Sequence, residues 1–273
     1  MVTKQFRFKV GFIGAGNMAQ AICQSLINDA FYKPMQIAAF DLSEDRRTYF
    51  HNQFGIYISK NNVELADHAQ TILLAVKPQV MPAVLEEIKP VIGPGQTIIS
   101  IAAGISTGFI ESTLNRSVPV IRVMPNTPMM VGAGTIALAA GQYAGRDHLN
   151  FAKTLFAPSG VVLCVEEHLI DAVTAISGSG PAYFFYLIEA MIQAGIDMGL
   201  SAENARTLAC NTALGAAKMV TTLEDSPAEL RRKVTSPAGT TEAAIKVLDQ
   251  NKVQQHFIQA INAAAIRSKE LGK

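Results

Sequence analysis

Short β-branched runs alternate with helix-patterned stretches from the amino end to about residue 160, and the pattern then changes. The runs Phe8 to Ile13, Gln36 to Phe40, Thr71 to Val76, Thr97 to Ile101, Val118 to Val123 and Thr135 to Ala139 predict strands. They are apolar at consecutive rather than alternate positions, as strands covered by helices on both faces must be. Repetition of strand and helix in this way predicts successive βαβ units and a doubly wound, mainly parallel sheet. From about Val165 the β-type runs stop and the chain becomes rich in Ala, Leu and Met, so the division expected is an α/β domain over residues 1–164 and an all-α domain over 165–273. Pro181 suits a first helical turn, Ser201 suits a cap, and Ser226-Pro227-Ala228-Glu229 forms a capping box. Small residues at Ala205, Ala209, Thr212, Ala213, Ala216 and Ala217 share one helical face, which suits close packing against another helix, within a subunit or between subunits.

Composition narrows the function classes. Apolar residues make up 49% of the 273 positions and charged residues 16%, enough for two packed domains and too apolar for long disorder. The formal net charge is +1 and the longest basic run is Arg231 to Lys233, so no nucleic-acid footprint is expected. The apolar segment from Ala182 to Leu200 carries Glu189, Gln193 and Asp197, which favours a buried helix over a membrane span. The amino end shows no signal-peptide pattern. Cys23, Cys164 and Cys210 share no metal-ligand spacing, and they read as buried thiols of a cytoplasmic protein without a bound metal.

The clearest chemical motif is Gly14-Ala15-Gly16-Asn17-Met18-Ala19, placed directly between a strand and a helix. Gly14 permits the tight turn, Gly16 lets backbone approach a pyrophosphate, and Ala19 allows close packing of helix on strand. In that context the glycines predict a Rossmann-like dinucleotide site, with phosphates at the helix start. Asp41 ends the second strand, where an acid accepts the adenosine ribose and disfavours an added phosphate. Arg46 and Arg47 follow, and guanidinium groups there can clamp a 2′-phosphate, so the residues leave NADP(H) and NAD(H) both open. Ala75-Val76-Lys77-Pro78 closes a further strand at the ligand edge, with Pro78 holding Lys77 out of helical geometry. Small residues around Ala103 leave room beside a flat ring.

Three more segments are not explained by core packing: Val123 to Pro128, Ser177-Gly178-Ser179-Gly180-Pro181-Ala182-Tyr183, and Val234-Thr235-Ser236-Pro237-Ala238-Gly239-Thr240-Thr241. In order and spacing they resemble the pyrroline-5-carboxylate reductases, from Val10 to about Arg267. The resemblance implies reduction of 1-pyrroline-5-carboxylate to L-proline by NADPH or NADH. It also implies a homodimer, in some cases assembled into a decamer, with the active site between the nucleotide domain of one chain and helices of its partner. It places Asn62 by the adenosine ribose, Val76, Lys77, Pro78 and Ala103 beside the nicotinamide, and Thr174 by the imine nitrogen. Ser236, Gly239, Thr240 and Thr241 would hold the substrate carboxylate, a role that a helix start performs without arginine. Ala238 stands where the family commonly has glycine.

A protonated imine is electrophilic without a strong acid beside it, so the expected task of the site is positioning. The five histidines lie outside every motif, and no paired carboxylates occur in them. Rival readings are a related hydroxy-acid or imine reductase and a non-catalytic nucleotide sensor.

Overall fold

The computed structural model describes residues 5–272; positions 1–4 and 273, the outer limits of the two expected domains, lie outside the described residues. Among these residues eight strands form one sheet in the order β3-β2-β1-β4-β5-β6-β7-β8. They are β1 (Phe8–Ile13), β2 (Ile37–Phe40), β3 (Tyr57–Ile58), β4 (Ala69–Leu74), β5 (Thr97–Ser100), β6 (Val120–Met124), β7 (Gly134–Ala140) and β8 (Gly160–Cys164). Neighbours run parallel except β6 and β7, which pair antiparallel. The helices between them are α1 (Asn17–Asn28), α2 (Glu44–Phe54), α3 (Asn62–His68), α4 (Met81–Ile88), α5 (Thr107–Leu114) and α6 (Arg146–Phe156).

The sheet is covered on both faces, as the continuous apolar runs require. Phe12 joins one core with Ile22, Leu26 and Phe50, while its neighbour Ile13 joins the other with Leu65, Leu85 and Ile98. A Cβ on Gly11 would lie 2.6 Å from Leu65, so glycine lets α3 approach β1. All six expected strands are present, Phe8 to Ile13 unshifted and the others with ends displaced by at most two residues. Two strands were missed. β3 has only two residues, and β8 is an edge strand whose Val161 and Leu163 point outward, so neither carries the doubly buried signature of the others.

The remaining helices are α7 (Ile170–Val173), a π-helical turn over Thr174–Gly178, α8 (Gly180–Asp197), α9 (Ala202–Thr222), α10 (Pro227–Lys233), α11 (Thr240–Gln250) and α12 (Val253–Leu271). The chain forms two compact units, Met1–Ser179 with Ala264–Lys273, and Gly180–Ala263. In the first unit the end of α12 is tied down: the Ser268 hydroxyl donates to Asp171 at 2.7 Å, and a Cβ on Gly104 would lie 2.7 Å from the Leu271 carbonyl oxygen.

Local signals in the second unit were legible. Ser201 caps α9, and Ser226 and Glu229 close a reciprocal capping box around Pro227. Other readings need correction. The Ala182 to Leu200 segment is helical but not a buried helix of this chain, since Phe184, Phe185 and Tyr186 are 61%, 58% and 73% exposed. No helix among the described residues is long and apolar enough to cross a membrane. Ala205 and Ala209 of the small face are buried within the chain, where Gly195 of α8 admits Ala205, while most of the face beyond them is open. Cys23 is buried, and burial pushes its thiol up to about 12, but Cys164 and Cys210 are exposed.

Candidate active site

The strand order reverses direction at β1, with β2 on one side and β4 on the other, and a doubly wound sheet opens a ligand crevice at such a switch point. The glycine turn leaves β1 there. Gly14 has φ +96°, and a Cβ on it would lie 2.8 Å from the Ala75 carbonyl, so no other residue fits. Around Gly16 a Cβ would meet nothing within 4 Å, which leaves the backbone open to a ligand. Gly16 is also the N-cap of α1, with no side-chain cap and no acid in the first turn. The amides of Asn17 and Met18 therefore begin a helix whose positive end has no competing carboxylate of its own.

The second wall comes from the end of β2. The Asp41 carboxylate accepts the Ala15 amide at 2.7 Å and the Ser43 amide at 2.9 Å. Arg46 donates from Nε to the Ala15 carbonyl at 2.5 Å and from Nη2 to Gln20 at 3.0 Å. The third wall follows β4: Ala75 donates its amide to Ile13, Lys77 is extended at ψ 145°, and Pro78 opens a short 3₁₀ turn, as expected for a residue ahead of proline. Asn62 is buried at the start of α3 and donates to Glu87 at 2.7 Å.

These walls enclose a cleft of about 470 Å³. Of the residues singled out in the sequence, Gly14, Gly16, Asp41, Asn62, Ala75, Val76 and Lys77 line it. Ala15, Asn17, Met18, Arg46 and Pro78 support its walls without lining it, and Ala103 sits in the turn after β5 at the same end of the sheet. Leu42, Val80, Ala83, Val84 and Glu87 line it too and were missed. The last four follow helical spacing across the turn after Lys77 and α4, a pattern that in a sequence is indistinguishable from a core-facing stripe.

A second constellation joins two of the motifs. Asn126 accepts the Thr135 amide at 2.8 Å and donates to the Ser177 carbonyl at 3.0 Å, and a Cβ on Gly178 would lie 2.6 Å from Met124 Cε. The Met124 to Pro128 segment thus braces the π-helical turn that carries Thr174. The Thr174 hydroxyl donates to Ile170 at 2.7 Å and that of Ser177 to Val173 at 3.0 Å. Insertion of a π turn is a feature that recurs where a helix serves a site.

The Ser236 to Thr241 turn lies in the other unit. Gly239, not a hydroxyl residue, is the N-cap of α11, and no side chain caps that helix. The Gly239 amide donates to the Ser236 carbonyl at 3.0 Å, and a side chain at 239 would collide with the Ser236 hydroxyl. Gly239 therefore shapes the turn and offers no free amide, contrary to the expectation that its amide would join those of Thr240 and Thr241. Ala238 sits at φ +55°, a left-handed conformation, and donates its amide to Glu242 at 2.8 Å. That φ explains why glycine suits the position. Among the described residues no cluster of His, Cys, Asp or Glu is arranged to hold a metal ion.

Residues 9–104 match a family model described as NADP oxidoreductase, coenzyme F420-dependent. Fold and cleft accordingly define an NAD(P)H-dependent oxidoreductase. Residues 167–271 match a second model, pyrroline-5-carboxylate reductase dimerisation, and the chain is 44% identical over 266 residues to the pyrroline-5-carboxylate reductase of Pseudomonas aeruginosa, covering 97% of each. The chain belongs to the pyrroline-5-carboxylate reductase family. Among solved structures, the Coxiella burnetii enzyme superposes with TM-score 0.89 at 39% identity, covering 98% of this chain and 99% of that one. The Plasmodium falciparum enzyme with NADP bound gives 0.90 at 30% identity, covering 98% and 100%.

Proposed function

We propose that this protein reduces 1-pyrroline-5-carboxylate to L-proline, with NADPH or NADH as the source of hydride. The observation that carries the reading is the cleft at the sheet's switch point, lined by Gly14, Gly16, Asp41, Asn62 and Lys77, in a chain of this family. The open glycine turn and uncapped start of α1 fit a pyrophosphate, the buried Asn62 and Asp41 fit a ribose, and small Ala75 and Ala103 leave room for a ring. Reduced nicotinamide supplies the hydride, which goes to the imine carbon.

The chain's own residues orient the substrate. In our assignment the carboxylate is held by the hydroxyls of Ser236 and Thr241 with the first-turn amides of α11, Thr240 included, which no side chain caps. The Thr174 hydroxyl proton is committed to the Ile170 carbonyl, which leaves oxygen lone pairs to accept the N–H of a protonated imine. Thr174 then steers a substrate that arrives protonated and is not a general acid. The large apolar side chains left exposed on α8, together with the matched dimerisation model, support a homodimer built through the helical unit, and the functional boundary we propose falls between residues 164 and 165. Assembly of dimers into a decamer and a cytoplasmic setting are proposed on the family resemblance alone.

The direct test follows oxidation of NADPH and of NADH with 1-pyrroline-5-carboxylate as sole acceptor. Turnover to proline is expected; absence of turnover with both coenzymes in folded protein would reject the activity and leave the related reductase and the nucleotide sensor. Thr174→Ala is expected to lower kcat/KM by about tenfold, the worth of one positioned hydrogen bond, and to retain measurable turnover. Complete loss in a folded, coenzyme-binding variant would show that a proton donor is essential.

A further inference from the structure

The end of β2 also bears on which dinucleotide the cleft prefers, and the point rests on the nucleotide reading above. Asp41 stands where a doubly wound sheet presents an acceptor to the adenosine ribose. Its two carboxylate oxygens are tied to the Ala15 and Ser43 amides at 2.7 and 2.9 Å, so it cannot swing aside for an incoming phosphate, yet each oxygen keeps a lone pair for a hydroxyl. The nearby cations each hold partners within the protein. Arg46 bridges the Ala15 carbonyl and Gln20, with its guanidinium 5.0 Å from the Tyr49 ring centroid and 5.5 Å from that of Phe50. Arg47 donates to the carbonyls of Asp41 and Leu42 at 2.7 and 3.0 Å, over the Phe40 ring. Neither arginine lines the cleft that Asp41 lines, where a bidentate fork for a 2′-phosphate would have to stand.

We infer that this cleft selects an unphosphorylated adenosine ribose, hence NADH over NADPH, with Asp41 the selecting residue and Arg46 a positioning residue that holds the glycine turn. A 2′-phosphate would meet the Asp41 carboxylate that lines the cleft, and a like-charge contact of this kind corresponds to about tenfold or more in affinity. Arg46, acting through the Ala15 carbonyl, serves both coenzymes alike.

The test is equilibrium binding of NADH and of NADPH to the full chain without substrate, read by nicotinamide fluorescence, beside kcat/KM with each. Wild-type protein is expected to bind NADH about tenfold more tightly or better. Asp41→Ser should bring the two Kd values together, and Arg46→Gln should weaken both by a similar factor. Equal or tighter wild-type binding of NADPH overturns the inference whatever the variants do, and so does an Arg46→Gln protein that loses NADPH alone. Failure to bind either coenzyme would instead reject the nucleotide reading on which the inference stands.

Discussion

The two units of this chain use similar apolar residues in opposite ways. In the first, Phe12, Phe50 and Phe156 are fully buried and both faces of the sheet are covered. In the second, Phe184, Phe185, Tyr186, Leu208 and Leu214 are mostly exposed, and the buried side chains are small or few, such as Ala205, Ala209 and Leu230. A monomeric surface of that kind is unusual, because contiguous exposed apolar area marks an interface. The first unit closes its own core; the second presents one for another surface to cover.

The contrast can be broken in a definite order. Phe12→Ala removes a fully buried ring between sheet and helix and is expected to cost about 3–5 kcal/mol, read by chemical denaturation. Tyr186→Glu, 73% exposed, should leave the fold of the chain intact but shift sedimentation of the proposed dimer toward monomer, since a charge would be buried unpaired on association. A Tyr186→Glu protein that unfolds as a monomer while Phe12→Ala is mild would invert the comparison. Ala238→Gly releases a left-handed alanine and should raise stability by about 1 kcal/mol, while raising KM for pyrroline-5-carboxylate by loosening the turn. The smallest effect belongs to Glu111 in the first unit, whose carboxyl burial holds above the ordinary value of 4.5. A raised folded pKa means that the folded state binds the proton more tightly, so stability falls as pH rises from the ordinary value through the folded one. Glu111→Gln should flatten that segment of a melting-temperature profile.

Much of the lining of the cleft was legible because its signals are local. Gly14 and Gly16 encode a turn geometry and Pro78 fixes the residue before it; in the second unit, likewise, Ser201 and Ser226 cap helices with their own hydroxyls. The lining contributed by Val80, Val84 and Glu87 was not legible, because a helical face toward a cleft and one toward a core share a period. Nor did spacing reveal that Asn126 would brace the turn carrying Thr174, since the bond from Asn126 to Ser177 joins residues 51 positions apart.

What the sequence by itself determined was the alternation of strand and helix, the punctuation of the helical half and the motifs that place the chain in its family. These depend on backbone preference and periodicity, which neighbouring residues set. Tertiary structure alone decided that the Asp41 carboxylate is tied to two amides and Arg46 to the Ala15 carbonyl, that the Gly239 amide is taken up by the Ser236 carbonyl within its own turn, and that the apolar helix α8 lies open. Hydrogen-bond partners and covered area are properties of surfaces brought together by folding, and no local pattern carries them.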